Sequence, residues 1–462
     1  MKNIRCNHLK RTDNSQFSSV IYCSLFFINC LILFPVLTFG QSVFTLKRCV
    51  ETGLQNNYDI RISTNEQQIS DNNVTPGNAG YLPVISLSAD YSGNLNNLIQ
   101  QYPISGGEKT QFNNVLNQTF STGIYANWTV FEGLDRKTNS QKLRELKEMG
   151  SLNTRLTIEN FIAELSAEYY NYIQQIITLE NLRQTVNLSK ERMRIVEERY
   201  NIGAGSRLEY QQAQVDFNTD SSRLIRQKEN LFASKIRLNR LMGNQDVEMK
   251  IITADTDIVI DLINENKDQL WDNTLKNNVF LLLSEKNVEY GQLELKTLQS
   301  VNYPYLRVNA GYGYTLNTYQ MGMTGKQNNL GLNYGVTLGF TIFDGMNRTR
   351  KQTNARIEIE NRKLTYDNLL LELKSNFSNI WLAYLNNLDL LKLERENLTT
   401  AQHNYNIAME RYKLGDLAGI ELREAQNSLL AAEERLVLAK YSTKLCELSL
   451  LQISGKITEI VD

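Results

Sequence analysis

The chain has 462 residues, 42% hydrophobic and 21% charged, which excludes a disordered polypeptide and leaves ample length for a large fold. Its 49 lysines and arginines against 50 aspartates and glutamates give a net charge of −1, so no global basic charge points to nucleic acid. Prolines number 5, at Pro35, Pro76, Pro83, Pro103 and Pro304. Proline costs about 3 kcal/mol inside a helix, so the long proline-free runs permit very long helices.

The N-terminus reads as an export signal over residues 1–40. Lys2, Arg5, Lys10 and Arg11 give a basic start, an apolar stretch runs from Val20 to Phe39, and Thr38-Phe39-Gly40 offers a cleavage site ahead of Gln41. A retained anchor is the alternative, because the stretch approaches the roughly 18–20 residues needed to span a bilayer. Cys30, after Phe27-Ile28-Asn29, matches a lipoprotein cleavage box poorly. Beyond the signal stand Cys49 and Cys446 alone, either paired in an oxidising compartment or buried as thiols on helices.

From residue 41 the chain follows one plan twice. Phe131-Glu132-Gly133 returns as Phe343-Asp344-Gly345, and Glu198-Arg199-Tyr200 with Gly203 returns as Glu410-Arg411-Tyr412 with Gly415, both 212 positions later. A first repeat is expected over 41–242, an irregular linker over 243–269, a second repeat over 270–455 and a tail over 456–462. Each repeat opens on a helix, predicted over 46–74 and 270–300. Asn277-Asn278 and Ser284 follow Asn56-Asn57 and Ser63 by 221 positions, and Pro304 follows Pro83 by the same offset. The offset then falls to 212, so the first strand pair carries nine extra residues, expected in the loop between its strands.

Four strands are predicted, at about 84–95, 121–131, 306–318 and 330–343. Leu330, Leu332, Tyr334, Val336, Leu338, Phe340 and Ile342 alternate with Gly331, Asn333, Gly335, Thr337, Gly339 and Thr341. In the third strand Leu306, Val308, Ala310, Tyr312, Tyr314 and Leu316 alternate with Arg307, Asn309, Gly311, Gly313, Thr315 and Asn317. The first pair shows the same pattern, with Ile85, Leu87, Ala89 and Tyr91, then Ile124, Ala126, Trp128 and Val130, on the apolar face. Strand side chains point to opposite faces with period two, so one face is apolar and aromatic and the other small and polar. A soluble half-buried sheet alternates too, but these strands reach the about 9 to 11 residues that cross a bilayer at the usual tilt. Four strands cannot close a barrel, and an open edge in lipid is forbidden, so other copies of the chain must complete the sheet.

A helical hairpin is predicted after each strand pair, over 134–242 and 346–455. Leu134 to Tyr200 holds one glycine, Gly150, and no proline; at about 1.5 Å per residue it would reach roughly 100 Å. Ile158, Ile162, Leu165, Tyr169, Tyr172, Ile176 and Leu179 step by four and three as a heptad seam. Glycines end the run at Gly203 and Gly205, and at Gly415 and Gly419, where positive φ permits reversal. Second helices follow at Leu208–Leu241 and Ile420–Leu451.

Enzyme signatures are missing: HExxH, the P-loop, GxSxG and paired CxxC do not occur. His403 reads as an exposed helical residue, and no catalytic residue, metal ligand or cofactor is assigned. The turns are the functional candidates. Glu209 and Glu421 open the second helices, where the helix dipole favours a carboxylate. Glu424 shares a face with Glu421 three positions earlier, so copies meeting about an axis would form a carboxylate ring.

The duplication, the Phe-Asp-Gly close of a strand before a long helix, and the Arg-Tyr-x-x-Gly turn before an acidic helix start resemble the TolC family of outer-membrane efflux proteins. The likeness covers nearly all of the chain beyond the signal. It implies an α+β membrane protein: a homotrimer whose four strands per chain make a 12-stranded barrel in outer-membrane lipid, above a coiled-coil tunnel in the periplasm. It implies a passive exit duct for efflux or type I secretion, with an inner-membrane pump and a periplasmic adaptor as partners and no nucleic acid. The adaptor would dock at the tips formed by Arg199, Tyr200, Gly203, Gly205, Arg411, Tyr412, Gly415 and Gly419. The resemblance places the aperture at Glu421 and Glu424, six and nine positions after Gly415, with Glu209 and Gln212 as the matching positions of the first turn. The family more often carries Asp where this chain has Glu421 and Glu424. The alternative is a periplasmic coiled-coil scaffold without channel activity.

Overall fold

A computed structural model describes residues 44–101, 109–253, 255–263, 265–321 and 324–460. The predicted export signal, Cys30, Pro103 and the last two residues of the predicted tail lie outside the described residues. Two units are distinct. In the small one, Phe44 and residues 251–253, the Phe44 N–H donates to the Ile252 carbonyl at 2.8 Å. The other, from Thr45 to Lys250 and from Asp255 on, carries every element below.

In chain order these are α1 (Leu46–Asn56), α2 (Tyr58–Asn73), β1 (Val84–Gln101), β2 (Lys109–Glu132), α3 (Asp135–Asn201), α4 (Arg207–Leu241), α5 (Lys267–Asn277), α6 (Val279–Ser300), β3 (Tyr305–Tyr319), β4 (Lys326–Gly339), α7 (Asn347–Leu414), α8 (Gly419–Ile453) and a short 3₁₀ turn, Ile457–Ile460. The plan of two repeats is plain, with two differences from expectation.

The helices predicted over 46–74 and 270–300 are each broken in two, at Asn57 and Asn278. Asparagine bonds its neighbours' backbone N–H groups readily, which ends one helix and starts another. The Asn57 Oδ1 accepts from the N–H groups of Asp59 and Ile60 at 2.9 and 3.2 Å, and the Asn278 Oδ1 from Phe280 and Leu281 at 3.1 and 3.3 Å. Each amide also donates to a terminal carbonyl of its own repeat's hairpin, Asn57 to Leu241 at 3.1 Å and Asn278 to Ile453 at 3.0 Å. One side chain therefore caps a helix and pins the root of a hairpin.

The second difference is in the strands. The nine extra residues of the first repeat lengthen the strands rather than the loop: β1 and β2 have 18 and 24 residues, β3 and β4 have 15 and 14. β2 pairs with β3 only as far as Asn117 and Tyr319, while β1 and β2 continue to Gln101 and Lys109. A bulge interrupts that extension, with Asn114 at φ 58° and its N–H on the Asn97 Oδ1 at 2.9 Å. At the other end β4 stops at Gly339 instead of 343, because Gly339 already faces Tyr305, the first residue of β3. Beyond it the alternating Phe340 and Ile342 have no strand beside them among the described residues.

The sheet is antiparallel in the order β1-β2-β3-β4. Register sorts its faces into rows. Leu87, Ile124, Tyr312 and Leu332 lie side by side on one face, with Ile85, Ala126, Ala310 and Tyr334 in the adjacent row. Tyr91, Phe120 and Leu316 continue it on one side, and Trp128, Val308 and Val336 on the other. Five intervals of two residues, from Leu306 to Leu316, span about 33 Å of strand, or about 25 Å at the usual tilt, the height of a barrel's apolar band. Tyr334 is 81% exposed and Leu87 75%, and between the rows of Ile124 and Phe120 the face carries Ala89, Tyr314 and Leu330 with a single hydroxyl, Thr122. The opposite face holds Ser86, Ser88, Asn127, Gly311, Gly313 and Asn333.

α3 and α7 run for 67 and 68 residues, about 100 Å each at 1.5 Å per residue. No described helix is long and apolar enough to cross a membrane. α3 packs on α4, α7 on α8, and the two hairpins meet through α3 and α8, with α6 set against α3 and α7. Of the predicted seam, Ile162, Leu165, Tyr169, Tyr172 and Leu179 are buried, and Ile158 and Ile176 are half-buried. Cys49 and Cys446 are free thiols. Burial pushes the Cys49 thiol up to about 12, which keeps it protonated and unreactive. His403 is exposed on α7, and no described His, Cys, Asp and Glu form a metal-binding group.

Candidate functional site

The two hairpin turns are built alike in backbone and differently in side chains. Gly203 and Gly415 take φ 78° and 81°. In the first turn Ala204 N–H donates to Arg199 O at 2.8 Å and Gly203 N–H to Tyr200 O at 3.0 Å; in the second Asp416 donates to Arg411 at 3.0 Å and Gly415 to Tyr412 at 3.1 Å. This is the Schellman pattern, which needs a left-handed residue that glycine supplies without steric cost. Gly205 and Gly419 lie just beyond, and α4 and α8 start at once.

The repeated Arg-Tyr pair does two different jobs. Arg199 reaches across to the other hairpin, where its Nη2 donates to the Tyr412 carbonyl at 3.0 Å and its guanidinium stands 4.9 Å over the Tyr412 ring. Arg411 instead folds back on its own turn and bonds Asp416, Nε to Oδ2, at 3.1 Å. The first turn has Ala204 where the second has Asp416, so Arg199 has no such local partner. Tyr412 is buried at 3% exposure, and burial raises its hydroxyl pKa against the lowering pull of Arg199 and Arg192. Tyr200 is exposed and stacks on Tyr210 at 6.1 Å. Beneath the turns Val196, Ala213, Tyr405, Ala408, Tyr412, Leu422, Ala425 and Leu429 form one apolar core drawn from all four helices.

The four aperture candidates divide in the same way. Glu209 closes a capping box with Ser206: its N–H donates to Ser206 Oγ at 3.1 Å and its Oε2 accepts from Ser206 N–H at 3.3 Å. Gln212 donates to Asp216 at 3.2 Å. Both therefore serve their own helix. At the start of α8 the cap position holds Ala418, which has no side-chain oxygen, so no box forms. Glu421 and Glu424 are exposed, and neither has an ion-pair partner among the described residues. Two exposed carboxylates thus project from one face of α8 near its tip.

A buried ionic network above the turns went unread in the sequence. Arg423 of α8 grips Asp220 of α4 with two bonds, 2.6 and 2.9 Å, and approaches Asp216 at 3.9 Å. Arg192 of α3 bonds Asp216, Ser189 bonds Asp220, and Gln426 bonds Ser189 at 3.0 Å and the Thr185 carbonyl at 3.2 Å. Asp220 is fully buried, and Arg192 is 4% exposed. Bidentate Arg–carboxylate geometry is directional, so the network fixes α8 against α3 and α4 at one height. The available signal was Asp216 and Asp220 spaced by four on one face of α4; their partners lie on other helices.

Comparison with known proteins follows the same geometry. A family model described as outer membrane efflux protein matches residues 50–244 and 270–456, one match in each repeat. The outer membrane efflux protein BepC of Brucella suis is 20% identical over 416 residues, covering 90% of this chain and 86% of BepC. The outer membrane protein TolC of Escherichia coli is 19% identical over 421 residues, covering 87% of this chain and 80% of TolC. Among solved structures, the Campylobacter jejuni CmeC outer membrane channel superposes with a TM-score of 0.73 at 16% identity, over 98% of this chain and 94% of CmeC.

Proposed function

This chain belongs to the outer membrane efflux protein family and is an outer-membrane exit duct, and from that premise we propose that three copies assemble into one channel, joined to an inner-membrane pump by a periplasmic adaptor. The observation that carries the assembly is the four-stranded sheet. Its apolar face fits hydrocarbon, while β1 and β4 are left as open edges, and β4 of one copy would meet β1 of the next in antiparallel sense. Barrels abolish edges, which lipid does not tolerate. The helical hairpins then become a tunnel whose far end is the pair of turns.

At that end Glu421 and Glu424 form the aperture, repeated about the axis as a ring of carboxylates. Glu209 and Gln212, held by their own helix, shape its wall. The turn residues Arg199, Tyr200, Gly203, Gly205, Arg411, Tyr412, Gly415 and Gly419 offer the adaptor its docking surface. A carboxylate ring favours cations and disfavours anions.

The test is reconstitution in planar bilayers. The native protein is expected to run as a trimer in detergent and to conduct with cation preference. Glu421→Gln with Glu424→Gln is expected to shift the reversal potential in a salt gradient toward zero. A water-soluble monomer sinks the duct assembly, and an unchanged reversal potential in the double variant sinks the ring.

A further inference from the structure

The polar face of the sheet contains one aromatic side chain between the rows of Arg307 and Asn317: Tyr125, directly opposite Gly311 and Ser86. The next row away from the helices is almost bare. Gly123, Gly313 and Gly331 stand in register there, with Ser88 as the only side chain. Tyr125 leans into that space. A Cβ added at Gly311 would stand 2.9 Å from the Tyr125 Cε1 and closer still to Cδ1. One at Gly313 would stand 3.1 Å from its hydroxyl, and one at Gly123 3.1 Å from its Cζ. The ring therefore lies flat along the wall, over a groove that exists because three positions lack a side chain.

We propose that Tyr125 sets the bore of the barrel within the membrane, and that Gly311 and Gly313 hold it open by letting the ring lie flat. The proposal rests on the reading above that this face lines a lumen shared by several copies. Each copy then contributes one ring at the same height, and no other described side chain of the lumen face at that depth has comparable size. Real Cβ atoms essentially never come within 3.0 Å of a neighbour, so a methyl at position 311 must push the ring away from the wall, toward the axis. Tyr125 is thus the size-selecting residue on the extracellular side of the Tyr305 and Arg307 rows, independent of the carboxylates at the far end of the helices.

The experiment reads passage through the barrel alone. Asn309→Cys, in a Cys446→Ser background, places a thiol on the lumen face below Tyr125, while Cys49 stays buried. Thiol-reactive polymers of graded size are applied from the extracellular side. Adding Gly311→Ala is expected to lower the largest size that reacts, and Tyr125→Ala on top of it to restore or exceed the parent cut-off. Should Gly311→Ala assemble poorly, Tyr125→Ala alone still tests the idea, because the cut-off must rise. An unchanged cut-off in assembled Gly311→Ala or Tyr125→Ala protein overturns the role of Tyr125 and leaves the duct intact. A parent Asn309→Cys protein that reacts with no reagent, however small, overturns the lumen itself and both readings with it.

Discussion

Arg423 and Asp220 show how much one pair of side chains can decide near the aperture. A charge left alone in a buried site costs far more than the pair gains, typically about 3–5 kcal/mol when one partner is removed. Asp220→Ala leaves Arg423 only its longer approach to Asp216 at 3.9 Å, so it is expected to loosen α8 from α4, and Asp220→Ala with Arg423→Leu to recover much of the loss. Hydrogen exchange of the α4 and α8 tips in the assembled protein measures both, and equal protection in the single variant and the native protein would refute the buried-charge argument. Only Asp216 and Asp220, four apart on α4, hint at this network in the sequence, because the partners are far apart along the chain, Asp220 and Arg423 being 203 positions distant. The turns were legible for the opposite reason. Gly203 and Gly415 act through local backbone geometry, and a motif of five residues carries the whole instruction. What the motif hid was the unlike use of Arg199 and Arg411, which turns on the single difference between Ala204 and Asp416.

Asn57 and Asn278 decide where the repeat-opening helices break. A single helix is predicted through each asparagine, over 46–74 and 270–300. The paired Asn-Asn marked the repeat correctly, but its physical meaning lay in capping, which competes with the helix interior. Each side chain satisfies two helix-start N–H groups and one hairpin carbonyl. Losing an N-cap costs about 0.5–2 kcal/mol, and the lost bond to Leu241 or Ile453 adds to it. Asn57→Ala is expected to raise exchange at Asp59 and Ile60 and to fray the end of α4. Asn278→Ala should do the same at Phe280, Leu281 and the end of α8. Fraying of only one member of either pair would show that the asparagine does not couple them. The strands teach a related lesson: alternation located them, whereas their ends are set by pairing, so β4 stops where β3 gives out and β1 and β2 run on past both.

Across the whole molecule the sheet separates two environments by one residue. An arginine facing lipid at the bilayer midplane costs about 2–4 kcal/mol, whereas one facing a watery lumen is tolerated. Leu332→Arg is therefore expected to abolish accumulation of assembled protein in outer membranes, and Asn333→Arg to leave it near native, as judged by heat-sensitive oligomer bands. Equal tolerance at both positions would mean the apolar face meets something other than hydrocarbon. The strand order has a further consequence for how such a chain is made. β2 ends at Glu132 and β3 begins at Tyr305, so their ladder closes a loop of about 170 residues, the slowest kind of contact to form. The helical hairpin between them, α3 and α4, is local and can coil as soon as it emerges. Biogenesis should then run from rod to wall, with lipid entered last, and a polypeptide interrupted midway would hold a finished spoke and half a seam that nothing yet matches.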